Sequence, residues 1–258
     1  MIDSILSQAS LYGFVLIRVL AILMAFPLWS GSFPMSWKIV AAVWVSVVLS
    51  FAIRPIAVPE SWSLPLILTG VTREFLVGAV LGLFVRLILG GIMLAGQLAG
   101  FQMGLGIANV IDPATSESIS VVAQVLNLLA VFLFLELDGH LLAVQVLARS
   151  FEWIPPFSAR LDSALYLDLV RDGGTEMFQV GLALAWPFSL VLLLLYLAMG
   201  LLARVAPQVN LLVVGFPITI GVGLFVLFLG VSPLTDRLEG VFSETLFSLE
   251  RLLASMGK

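Results

Sequence analysis

Residues 101–120 read FQMGLGIANVIDPATSESIS, a glycine-bearing, weakly polar stretch lodged between two long apolar runs. Gly104 and Gly106 lower helix propensity, Pro113 has no backbone donor and disfavours helix at Asp112, and Thr115 to Ser118 prefer turns and caps. Helix is therefore expected to stop before this stretch and restart after it. If such backbone lay in hydrocarbon, each unpaired peptide group would cost several kcal/mol, so it persists there only inside protein or along a water-filled path. The two readings are an ordinary connector outside the bilayer and an enclosed or channel-lining loop.

The surrounding chain sharpens that choice. Of 258 residues, 61% are hydrophobic and only 11% charged, with a mean hydropathy of +1.16. A soluble domain has just under half apolar residues and about a quarter charged, so this composition belongs to an integral membrane protein or a membrane-assembly subunit. The chain has no cysteine, which excludes disulfides, thiolate metal sites and a cysteine nucleophile. The net charge of -4 forms no long run, and no basic patch alternates with aromatics, so nucleic acid is not an expected partner. The N-terminus lacks a basic region and a small-residue cleavage site, and is expected to be retained.

Taken in order, the first apolar run is Leu11 to Trp29, with Arg18 in its middle and Phe26-Pro27 near its end. The second, Ile39 to Ile53, is rather short for an upright span. From Leu64 to Phe101 no clean break occurs, so this region is either one very long helix or a hairpin turning near Gly90-Gly91. Val121 to Leu135 and Leu141 to Ala148 are apolar but separated by Glu136 to His140. Phe151 to Thr175 is the most water-compatible part, with an expected short amphipathic helix from Arg160 to Arg171 ended by Gly173-Gly174 and projecting into solvent. Val180 to Ala203 and Leu211 to Val231 are the clearest spans, with Pro187 and Pro217 inside them, joined by Arg204 to Asn210 as an antiparallel hairpin. Beyond them Ser232-Pro233 opens an amphipathic tail whose stripe includes Leu234, Leu238, Phe242 and Leu246, better suited to a protein partner than to an anionic leaflet.

Arg18, Arg73 and Arg86 all sit inside apolar runs, where a lipid-facing charge at the centre costs about 2.5–3.5 kcal/mol. Pairing of Arg73 with Glu74 or snorkelling is one solution. The other is that these helices are surrounded by further subunits, which also suits the glycine-rich third region. No phosphate loop, nucleophile elbow or metal-ligand spacing is present, and the single His140 reads as a polar helix-end residue, so no enzyme, cofactor or metal is expected. Met103, beside the glycine loop, is a candidate for lining a flexible constriction.

Two stretches, Gly100 to Gly106 leading into Asp112-Pro113-Ala114 and then Leu133 to His140 (LFLELDGH), and Ala206 to Asn210 leading into Val214 to Pro217, resemble the FliR family over essentially the whole chain. That family is the export-gate subunit of the bacterial flagellar type III secretion apparatus, related to the SctT subunits of injectisomes. The resemblance implies an all-α protein, its hydrophobic membrane-type helices arranged as hairpins within a hetero-oligomeric helical export gate. One copy would join several copies of FliP and FliQ, with FlhB at the base and the FlhA ring nearby, as a multi-pass component of the bacterial inner (cytoplasmic) membrane and flagellar basal body. Residues 1–175 would be a FliP-like part and 176–258 a FliQ-like hairpin plus tail. The gate passes unfolded export substrates, and the resemblance implies a channel plug built from Met103, Gly104, Leu105, Gly106, Ile107, Asn109, Val110, Ile111, Asp112 and Pro113. Arg18, Arg73, Glu74 and Arg86 would be buried charges at subunit packing, and Pro207, Gln208, Asn210, Gly215 and Pro217 the hairpin motif. The alternative is a small-solute or ion transporter with a broken helix at 101–120 and Arg86 or His140 as its site, which should carry inverted repeats.

Overall fold

The apolar runs become α-helix in the computed structural model, which describes residues 2–25, 34–52, 63–105, 120–156, 163–208, 210, 213–230 and 240. The helices are α1 (Ile2–Ala25), α2 (Met35–Ala52), α3 (Leu64–Gln102), α4 (Val121–Glu136), α5 (Gly139–Trp153), α6 (Ser163–Val205) and α7 (Val213–Gly230). Among the described residues there is no strand. Stretches within Leu64–Gln102, Val170–Val205 and Val213–Gly230 are long and apolar enough to cross a membrane. The segments 106–119 and 241–258, and with them most of the expected plug and of the amphipathic tail, lie outside the described residues.

At the helix boundaries one open choice is decided for the long helix and one expectation is corrected. The third region is one 39-residue helix, with no hairpin at Gly90-Gly91. Those glycines are a crossing point: a Cβ on Gly91 would lie 2.7 Å from the Met177 carbonyl oxygen, and one on Gly181 would lie 2.9 Å from that of Gly91. Small residues here let α3 and α6 approach backbone to backbone. Gly173-Gly174 likewise does not end a short amphipathic helix. α6 runs through it as one 43-residue helix, with Gly173 buried against Phe84 and Leu87 of α3.

The chain divides into two compact units, one holding the described residues of Met1–Leu87 and Asp138–Gly174, the other those of Ile88–Leu137 and Thr175–Val241. In the first, α1 packs on α2, and Val15, Val19 and Ile22 of α1, Val77 and Leu81 of α3, and Val146 and Leu147 of α5 are buried. The expectation that residues from Phe151 onward project into solvent is overturned at its start, because Phe151 and Ile154 are buried in this core. In the second, Ile92, Ala95, Ala99, Ala123, Leu126, Ala130, Phe188 and Leu192 form the centre. The break between α4 and α5 falls at Leu137-Asp138, where Asp138 adopts φ 55. Aspartate tolerates this left-handed conformation better than most residues, and its carbonyl accepts from the N–H groups of Leu141 and Leu142 to start α5.

Candidate functional site

The residues flanking 106–119 define the site, because the ends of a loop set what it can reach. At its N-terminal stem, the Leu105 N–H donates to the Gly100 carbonyl (3.1 Å) and the Gly104 N–H to that of Phe101 (3.0 Å). With Gly104 at φ 84, this is a Schellman C-cap. It leaves the Gln102 and Met103 carbonyls to be satisfied. The Tyr196 hydroxyl of α6 donates to the Gln102 carbonyl, and the Thr219 hydroxyl of α7 donates to the Met103 carbonyl at 3.1 Å, shared with the Phe216 carbonyl of its own helix at 3.1 Å. Gln102 also donates through Nε2 to Ser189 Oγ of α6 at 2.9 Å.

Met103 is fully buried, its side chain lying in a notch left by Gly223 of α7, where a Cβ would be 2.6 Å from Met103 Cγ. The Phe216 ring lies over Gly104, within 2.6 Å of where its Cβ would stand. Leu105 is half-buried, and Gly106, Ile107, Asn109, Val110, Ile111, Asp112 and Pro113 lie outside the described residues.

At the C-terminal stem Ser120 is the N-cap of α4, its hydroxyl accepting from the Ala123 N–H at 3.1 Å. Its own N–H donates to Gln97 Oε1 at 2.9 Å, and its side chain fills the space that a Cβ on Gly100 would take. α4 thus begins directly against the last turns of α3. Within the hairpin, the Asn210 carbonyl accepts from the Val213 and Val214 N–H groups, both at 3.1 Å, and Gly215 is buried beside Met199. Pro207, Gln208 and Pro217 are exposed.

The arginines separate sharply. Arg18 and Glu74 are both fully buried and pair through Nε and Oε2 at 2.7 Å. Arg18 also donates to Ser150 Oγ (3.1 Å) and to the Ile154 carbonyl (3.0 Å) at the end of α5, and its guanidinium lies 4.1 Å from the Phe151 ring centre. A cation is favoured at a helix C-terminus by the aligned peptide dipoles. Glu74 reaches Arg18 because Gly78, one turn later on the same face of α3, lets the helix come against the Arg18 backbone. Arg73 is half-buried and Arg86 exposed. His140 is half-buried in the first turn of α5, its Nδ1 without a hydrogen-bond partner among the described residues.

Phe216 fell within the Val214 to Pro217 motif, but Tyr196, Thr219 and Gly223 were not singled out by the sequence, since a hydroxyl or a glycine within an apolar run carries no mark of its partner. Ser120 alone carried a local signal, a serine directly before an apolar helix.

The family described as bacterial export proteins, family 1, matches residues 9–245. The flagellar biosynthetic protein FliR of Escherichia coli K12 is 32% identical over 252 residues, covering 97% of this chain and 95% of that protein. FliR of Pectobacterium carotovorum is 42% identical over 184 residues, 71% of this chain and 70% of the relative, and FliR of Bacillus subtilis is 32% identical over 187 residues, 72% of each. A likeness that runs through both stems and the hairpin leaves one assignment: this chain belongs to the bacterial export proteins, family 1, and within them to the FliR family.

Proposed function

We propose that this protein is a core subunit of the flagellar type III export gate, forming part of the channel for unfolded export substrates. Its role in flagellar export follows from its family. The finer reading is that the loop from Met103 to Pro113 plugs the closed channel, with Leu105, Ile107, Val110 and Ile111 excluding water, Gly104 and Gly106 giving pliability, and Asp112-Pro113 fixing a turn. FliP and FliQ complete the channel around a single copy, FlhB and FlhA lie at its base, membrane lipid or neighbouring subunits surround it, and the site of action is the inner membrane within the basal body. Residues 1–175 act as the FliP-like part and 176–258 as the FliQ-like hairpin and tail; the Arg73 and Arg86 positions serve packing against neighbouring subunits, while the Arg18–Glu74 pair holds its own unit together.

The observation that carries the plug is that both stems of the loop are fixed, by the Gly104 cap and by the Ser120 cap. A seal needs defined ends. The broad exposed apolar faces of α6 and α7, including Trp186, Leu193, Leu197, Phe225 and Phe228, suit a chain enclosed by lipid or by other subunits. Removal of residues 106–118 from the chain, assembled with FliP and FliQ, is expected to raise small-ion conductance across the membrane. Unchanged conductance would count against a plug.

A further inference from the structure

We infer that the C-terminal hairpin is the positioning device of the plug: Tyr196 and Thr219, with the Gly223 notch, clamp the stem at Gln102–Leu105 and so hold the loop in place. This rests on the plug reading above. The observation is an accounting of backbone groups. The Schellman turn uses the N–H groups of Gly104 and Leu105 internally, yet the last two carbonyls, of Gln102 and Met103, have their acceptors met by hydroxyls from α6 and α7. Ordinarily a helix end finds water or a cap of its own. Here two side chains from the hairpin do that work.

The steric half of the clamp is equally specific. Met103 is fully buried against Gly223, where any side chain would collide with Met103 Cγ and Cε. Phe216 covers Gly104 from the same helix. Phe216, Thr219 and Gly223 are separated by three and four positions, so they form one face of α7 directed at the stem. A displacement of α7 relative to α3 therefore removes the Thr219 bond and the Met103 seat together.

The chain's lack of cysteine gives a clean test. In the full chain assembled with FliP and FliQ, a Met103→Cys/Gly223→Cys pair brings two thiols into the space now shared by Met103 Cγ and the Gly223 notch, within the reach of a disulfide. Two readouts are followed: disulfide yield under mild oxidation and small-ion conductance. Thr219→Val and Tyr196→Phe are each expected to raise conductance about fivefold, the size of one lost hydrogen bond, and to lower disulfide yield when placed in the cysteine background. Thr219→Ser, which keeps the hydroxyl, is expected to behave as the native chain, and oxidation of the cysteine pair to reverse the leak of the Thr219→Val variant. The clamp is overturned if the disulfide does not form, or if Thr219→Val and Tyr196→Phe leave both readouts unchanged while deletion of 106–118 still opens the channel. If deletion of 106–118 leaves conductance unchanged while those variants still lower the disulfide yield, the plug reading falls, and with it the clamp's role in holding a plug.

Discussion

The Arg18 cluster and the Met103 stem solve the same problem, burial of polar groups among apolar helices, by opposite means. Around Arg18 a full charge is removed from water and met by a carboxylate, a hydroxyl, a carbonyl and a ring face drawn from α3 and α5. At the stem no charge is involved, and neutral hydroxyls meet two carbonyls. The energetic consequences differ several-fold. Breaking a buried ion pair leaves an uncompensated charge at about 3–5 kcal/mol, whereas a neutral hydrogen bond contributes about 1 kcal/mol. Both regions are thereby fixed, the first by charge pairing and the second by weaker neutral bonds.

Glu74→Gln tests the heavier side of that contrast. It is expected to cost about 3–5 kcal/mol, seen as a large drop in the thermal midpoint of the purified assembly, while the double substitution Arg18→Met/Glu74→Leu recovers most of the loss. The contrast breaks if Glu74→Gln is no worse than Thr219→Val. Gly78→Leu follows, since it drives a side chain into the Arg18 carbonyl and Ala21; about 1–3 kcal/mol of overpacking should appear in the same melt. Gly104→Ala is smaller again. It places a Cβ in the left-handed region and against Phe216, costing about 1–2 kcal/mol, and should loosen the stem and raise conductance with little change in the melt of the first unit. Ser120→Ala, which removes the α4 cap and the weak bond from its hydroxyl to the Gly96 carbonyl, should cost about 1 kcal/mol. Faster backbone hydrogen exchange confined to the first turn of α4 would sharpen the picture.

The sequence made the helices legible because long apolar runs leave few other structures open. Partners across helices were less legible. Arg73 and Glu74 are neighbours in sequence, yet adjacent residues on a helix point apart, and Glu74 instead meets Arg18 fifty-six positions away. Gly90-Gly91 and Gly173-Gly174 carry a turn signal when read locally, but their lack of side chains serves close packing. Local composition cannot distinguish those two uses of glycine. The end of α3 before the Gly-rich stretch was readable from Gly104 onward, whereas the hydroxyls of Tyr196 and Thr219 that complete its cap sit in runs whose pattern records only apolar burial.

The central claim is that this chain works as one member of a heteromeric gate, and native mass spectrometry of the detergent-extracted protein, alone and then coexpressed with FliP and FliQ, tests it most directly. A stable complex containing one copy of this chain is expected. A well-behaved monomer or homodimer indifferent to both partners would contradict it.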